Sequence, residues 1–253
     1  MEINGKAAVV SGAGSGIGRA IALALVLKGA KVIVADIDEK AGRETVDLLG
    51  ARGGVSLFRR CDVTQTEDLA AAFAACLDHF GRFDIVCNNA GIGEREDLFG
   101  DETREFERVI DIDLTAVIDA TRIAVREMRR LGGGVIVNTA SMGGLLPMPN
   151  NPVYAAAKAG VVNFSRSLAY LSAEGIRVNA VCPTFTDTPL VHQGGEEGEA
   201  RLEELKKLVG GILRPGDVAA GVIELVEDDS KAGAIMRVTV NRGLDYAREI
   251  RPF

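Results

Sequence analysis

Tyr154 and Lys158 stand four residues apart in Pro152-Val-Tyr-Ala-Ala-Ala-Lys158, and the alanines between them favour helix. Positions i and i+4 share a helix face, so the phenol and the ammonium point into the same space. A cation held there favours tyrosinate over tyrosine and lowers a phenol pKa that is ordinarily about 10. A phenol tuned in that direction accepts a proton from an alcohol or returns one to a carbonyl. An ordinary surface helix would show the same spacing, so the elements around the pair must decide what it does.

Those elements alternate from the start of the chain. Lys6–Ser11 is a short apolar run, followed at once by Gly12-Ala-Gly-Ser-Gly16-Ile-Gly18 and an Ala- and Leu-rich segment that stops at Gly29. Strand, glycine turn, buried helix and glycine stop follow in that order. Glycines let a backbone approach a pyrophosphate, and a helix N-terminus offers unpaired N–H groups and a positive dipole end. The next strand, 31–36, ends in Asp36, a carboxylate 18 residues past Gly18 and suited to hydrogen-bonding the adenosine ribose hydroxyls. Ile37 and Ser15 supply no cation for a 2′-phosphate, so the pattern points to NAD rather than NADP.

The alternation continues with helix 39–49, strand 55–61, helix 67–80 and strand 83–87. A long helical run follows over 101–130, then strand 134–141, helix 152–174, strand 176–182, helix 218–227 and strand 234–240. Short connections between such elements imply a parallel sheet covered on both faces, with ligands at the carboxyl ends of its strands. The expected fold is a single doubly wound α/β domain over 1–253, with seven parallel strands. Asp62 with Val63 at the end of strand three, and Asn89 after strand four, lie where adenosine would sit, although Asp62 and Asn89 could equally form turns. Ser141 ends its strand at the same sheet edge, where its hydroxyl could meet a substrate oxygen and the Tyr154 phenol.

The composition narrows the function. A net charge of −7 gives no basic excess for a nucleic-acid partner. No apolar stretch reaches membrane-spanning length and the N-terminus lacks a signal-peptide pattern, so a cytoplasmic protein is expected. Cys61, Cys76, Cys87 and Cys182 are widely spaced and read as small buried hydrophobes. His79 and His192 fit no metal-binding pattern, and no metal site is expected.

Taken together, Gly12-x-x-x-Gly16-x-Gly18, Asn88-Asn-Ala-Gly91, Ser141 and Tyr154-x-x-x-Lys158 resemble the short-chain dehydrogenase/reductase family in order and spacing. Asn151-Pro-Val-Tyr154 and the segment 227–236 resemble its 15-hydroxyprostaglandin dehydrogenase branch more closely. The resemblance implies a Rossmann-type fold and NAD-dependent hydride transfer with a secondary alcohol or its ketone. It implies Tyr154 as proton acceptor or donor, Lys158 as its stabiliser and a contact of the nicotinamide ribose, and Ser141 as the group holding the reacting oxygen. Cofactor contacts are implied from Gly12, Gly14, Ser15, Gly16, Ile17 and Gly18 in the turn. Further contacts come from Asp36, Ile37, Asp62, Val63 and Asn89, and from Pro183, Thr186 and Thr188 at the nicotinamide end. Asn151 is implied as a substrate contact, although it could simply cap the helix that begins at Pro152. A homodimer or homotetramer is implied as well.

Two residues depart from the family pattern. Asp113 stands where Asn is usual, in a relay to the lysine, and its carboxylate would keep the acceptor, lose the amide donors and shift the pH optimum. Thr184 occupies a usual Gly position, and would be strained if the backbone there required positive φ. Residues 188–212, with Leu202, Leu205, Leu208 and Val209 at helical spacing behind Gln193–Gly198, read as a substrate lid or as a solvated surface helix. Leu145, Leu146, Met148 and Leu190 suggest an apolar substrate, for instance a hydroxylated fatty-acid-like or steroid-like alcohol. The rival reading is a nucleotide-binding member of the same fold, weakened in catalysis by Asp113 and Thr184.

Overall fold

The computed structural model describes residues 1–94, 98–100, 103–192, 202–204, 206–207 and 210–248. Apolar runs with almost no exposed side chain form the central strands: β1 Ala7–Ser11, β2 Lys31–Asp36, β4 Ile85–Asn88, β5 Gly134–Thr139 and β6 Ile176–Pro183. Near-continuous burial of this kind is what a parallel sheet covered on both faces requires. The outer strands are β3 Val55–Arg60, β7 Ile235–Thr239 and β8 Gly243–Tyr246. Their order across the sheet is β3-β2-β1-β4-β5-β6-β7-β8, so the chain reverses direction across the sheet between β1 and β4.

The first seven strands are parallel, as the alternating pattern predicts, but among the described residues the sheet has eight strands rather than seven. β8 folds back antiparallel on β7, pairing Met236 with Tyr246 and Thr239 with Gly243. Only four residues long and reached by a tight turn, it carries no alternation that a sequence reading could use.

Helices α1 Gly16–Leu27 and α2 Glu39–Gly50 pack with α7 Pro215–Glu227 on one face, around Ile21, Leu25, Leu49, Val218 and Val222. On the other face α3 Thr66–Phe80 and α5 Ala116–Leu131 meet around Phe73, Ala124 and Met128. A third, smaller cluster joins α6 Pro152–Ser167 to β6 through Val161, Val162 and Ala180. The four cysteines are all free and buried, and every cluster holds at least one: Cys87 in the first, Cys61 and Cys76 in the second, Cys182 in the third. Burial pushes each thiol up to about 12.

The long helical run expected over 101–130 is broken. A short α4, Glu105–Ile110, passes into a π-helical turn, Asp111–Thr115, before α5 begins. The wider i→i+5 turn adds a residue to the ring and re-aims the side chains it carries. Asp113 lies in it with no surface exposed. The helix expected over 152–174 likewise ends at Ser167, and a 3₁₀ stretch, Ala169–Glu174, finishes the run.

At the base of the expected lid, Asp187 N–H donates to Leu213 O at 2.8 Å and Leu213 N–H donates to Phe185 O at 2.9 Å. The two ends of segment 188–212 are therefore held together. Leu202 is buried, whereas residues 193–201, Leu205, Leu208 and Val209, and the tail beyond Arg248, lie outside the described residues. Among the described residues no helix is long and apolar enough to cross a membrane, and no group of His, Cys, Asp and Glu could hold a metal ion.

Candidate active site

Parallel pairing in register brings the carboxyl ends of β1, β4, β5 and β6 to one edge of the sheet, and the candidate residues collect there. Lys158 comes from the first turns of α6, is almost wholly buried, and donates from Nζ to Thr139 O at 3.1 Å. Its ammonium lies 5.6 Å from the Tyr154 ring centroid, so the i, i+4 spacing does place phenol and cation together. Ser141, just past β5, accepts Gly143 N–H on its Oγ at 3.0 Å, which fixes the hydroxyl oxygen beside Tyr154.

The net electrostatics on the phenol differ from the expectation. Loss of water around Tyr154 raises its pKa most; Lys158 lowers it, Asp113 raises it, and the Ser141 hydroxyl lowers it. The balance lies above the ordinary tyrosine value, although the expected pull from Lys158 is present. Sequence spacing reports the partner and not the desolvation, and desolvation is the larger influence here.

Asp113 faces the same ammonium. Its Oδ1 lies 3.8 Å from Lys158 Nζ and accepts Ile92 N–H at 2.9 Å. Its Oδ2 is buried with no hydrogen-bond partner among the described residues. Burial therefore pushes the Asp113 carboxyl up, and Lys158 and the Ile92 amide only partly offset it. Gly91 is required beside this pair, because a Cβ there would lie 2.9 Å from Asp113 Oδ1 and 3.3 Å from Lys158 Nζ.

At the other end of the edge the glycine turn is tightly seated. A Cβ on Gly18 would fall 2.1 Å from Gly12 O, and one on Gly12 would fall 2.8 Å from the Ala90 Cα. Gly16 has φ +50°, a conformation glycine adopts without strain, and its free side faces Thr188. Ser15 is the N-cap of α1 yet makes no side-chain capping bond, so the orphan N–H groups of the first turn are not taken up by it. Asp36 is fixed by Gly14 N–H at 2.7 Å and Asp38 N–H at 2.9 Å. Beside it Ile37 is largely exposed. These residues fit a dinucleotide: backbone donors for a pyrophosphate at Gly14–Gly18, and a carboxylate for a ribose.

The remaining expected contacts are distributed unevenly. Asp62 is a turn former in this structure, since its Oδ1 accepts Thr64 N–H at 3.0 Å, with Val63 between them. Asn89 stitches β1 to the loop after β4, donating to Ser11 O at 3.2 Å and accepting from Thr139 Oγ1 at 3.3 Å. Pro183 ends β6 and is buried. Thr186 donates to Thr184 O at 3.0 Å and Thr188 donates to Thr186 O at 3.2 Å, which curls the chain back towards Gly16. Thr184 is not strained: Arg104 alone among the described non-glycine residues has positive φ, and Thr184 N–H donates to Val238 O at 2.9 Å. Asn151 takes the N-cap position of α6, but its side chain makes no capping bond.

Several residues that hold the site escape a sequence reading. Asn88 Nδ2 donates to Asn138 Oδ1 at 2.8 Å and Asn138 Nδ2 donates to Ser165 Oγ at 3.0 Å, a buried chain that ties β4 to β5 and α6. Ser11 Oγ accepts Asn89 N–H at 3.0 Å, and Glu94 Oε1 accepts Tyr154 N–H at 2.7 Å. Only the polar residues inside otherwise apolar strand runs hinted at the first two.

The chain is similar to known proteins along nearly its whole length. The sequence matches the short chain dehydrogenase family over residues 6–198. It is 37% identical to 15-hydroxyprostaglandin dehydrogenase [NAD(+)] of Mus musculus, over 97% of this chain and 94% of that protein. It is also 37% identical to cyclohexanol dehydrogenase of Acinetobacter sp. (strain SE19), over 90% of each. Among solved structures, 3-ketoacyl-(acyl-carrier-protein) reductase from Brucella melitensis, complexed with NADH, superposes with a TM-score of 0.86. It is 30% identical, covering 95% of this chain and 99% of that one.

Proposed function

Because the chain belongs to the short-chain dehydrogenase family, we propose that it is an oxidoreductase moving a hydride between a secondary alcohol, or its ketone, and NAD. The observation that carries this reading is the Lys158 ammonium held 5.6 Å from the Tyr154 ring by the Thr139 carbonyl, at the sheet edge that also carries the glycine turn. Relatives named as dehydrogenases of 15-hydroxyprostaglandin and of cyclohexanol support a secondary alcohol as substrate.

Gly12–Gly18 would hold the pyrophosphate, Asp36 the adenosine ribose, and Lys158 the second ribose; Pro183, Thr186 and Thr188 would face the nicotinamide. Bound NAD supplies the hydride acceptor, so the protein's work is orientation and proton handling. Ser141 holds the substrate oxygen while negative charge develops on it. Tyr154 takes the hydroxyl proton in oxidation and returns it in reduction. Lys158 favours the tyrosinate, and Asp113 opposes it when ionised. Leu145, Leu146, Met148 and Leu190, of which Leu146 is 58% exposed, favour a largely apolar substrate such as a hydroxylated fatty-acid-like or steroid-like alcohol. Asn151, with no capping bond to make, is the polar contact for that substrate. The active form in this reading is a cytoplasmic homodimer or homotetramer, which light scattering on the purified protein distinguishes.

The deciding assay is a panel of secondary alcohols with NAD and with NADP, read by nicotinamide absorbance. Turnover of an apolar alcohol with NAD is expected, and Tyr154→Phe should lower kcat by roughly 100-fold or more, the share that a positioned proton carrier supplies. Tight NADH binding with no turnover of any alcohol or ketone would replace this reading by a nucleotide-binding protein without efficient catalysis.

A further inference from the structure

The helix that carries Tyr154 starts without a cap of its own. Asn151 makes no side-chain capping bond and Pro152 has no N–H, so the first turn depends on an acceptor from elsewhere. Glu94 supplies it from 60 residues away, accepting the Tyr154 N–H at 2.7 Å. Two residues earlier on the same loop, Ile92 N–H donates to Asp113 Oδ1 at 2.9 Å, and that oxygen lies 3.8 Å from Lys158 Nζ. The contacts close into a ring: Tyr154, Glu94, Gly93, Ile92, Asp113, Lys158, and back along one turn of α6. Gly93 also lies against Leu190, at the start of the expected cover, since a Cβ there would stand 3.7 Å from the Leu190 Cδ1.

We propose that Glu94 is a positioning residue: its carboxylate fastens the Tyr154 turn of α6 to the loop after β4, so that the phenol and the Asn89–Ile92 segment keep one geometry. Its effect on turnover rests on the dehydrogenase reading above; its effect on backbone order does not. Glu94 acts through the backbone of Tyr154, and the property that matters is an acceptor of the right length rather than a titrating group.

The test uses Glu94→Ala, Glu94→Gln and Glu94→Asp in the full chain. Amide exchange of peptides covering 88–94 and 152–158 is followed without cofactor, together with NADH affinity and steady-state kinetics. Glu94→Ala should speed exchange in both peptides by about tenfold, because a bond that closes the local structure is gone. It should lower kcat about tenfold, with KM and NADH affinity within about twofold, as expected for a displaced proton carrier. Glu94→Gln keeps an acceptor oxygen at the same length and should restore both; Glu94→Asp is a methylene short and should resemble Ala. If Glu94→Ala does not fold, the Gln and Asp variants carry the comparison. Exchange unchanged in both Ala and Asp, or Gln as impaired as either, would overturn the proposal. Altered exchange in a protein that turns over no alcohol would fail the dehydrogenase reading and leave the role of Glu94 standing.

Discussion

Asp113 and Lys158 are buried side by side, and among the described residues the carboxylate has one oxygen without a partner. The sign of its effect can be worked through. Burial raises the folded-state pKa of Asp113 above its unfolded value. Its contribution to stability is therefore fully present below the unfolded value and is lost as pH rises through the folded one. Asp113→Asn keeps the acceptor for Ile92 N–H and removes the charge, so its melting temperature should gain on the native protein between acid and neutral pH. The same substitution removes an anion that raises the Tyr154 pKa. The apparent pKa in the profile of kcat/KM for alcohol oxidation should accordingly move to lower pH, and an unchanged profile would show that Asp113 does not act on Tyr154. That Tyr154 and Lys158 stand together was legible from residue type and spacing, because i, i+4 geometry is local, and the position of Ser141 was legible from the end of its strand. The net rise at Tyr154 was not, since burial depends on how the whole chain packs and not on local spacing. Glu94 was illegible for a similar reason: its partner is a backbone N–H 60 residues away, and a Glu in a polar loop has no pattern to mark it.

The glycine turn makes the clearest case for elements acting as units. α1 is seated so closely that Gly18 has no room for a methyl group, which would lie 2.1 Å from Gly12 O and 2.6 Å from Asn89 Nδ2. Both neighbours belong to elements pinned elsewhere, so neither can give way without moving β1 or the loop after β4. Gly18→Ala should cost about 1–3 kcal/mol of stability, in the range of overpacked interiors. It should also weaken NADH binding about tenfold or more, because the α1 N-terminus no longer faces the turn. Thermal unfolding and a fluorescence titration check the two effects separately. Most elements were legible from apolar runs bounded by glycines, since buried parallel strands leave long hydrophobic stretches. The π-helical turn at Asp111–Thr115 was not, because no Gly or Pro interrupts the helical pattern there. β8 was missed because four residues in a turn-rich segment carry no period. The parallel bridge of Thr186 to Leu213 was equally silent, since the two residues are linked only once the chain has folded.

At the scale of the whole molecule, three apolar clusters share one sheet: two cover its faces, and the third seats α6, the helix of Tyr154 and Lys158. The distribution of cysteines among them has a practical result. With each thiol pushed up to about 12, the thiolate fraction at neutral pH is on the order of 10⁻⁵, and the sulfurs are walled off from reagents as well. The folded protein should therefore ignore maleimide for hours in the absence of any reducing agent, while the denatured chain takes up four labels. Mass spectra recorded during mild denaturation then act as a clock with three hands. A jump from no adduct to four means the clusters melt together. Early labelling of Cys182 alone would mean that the layer beneath Tyr154 opens first, with the nucleotide half of the sheet still intact.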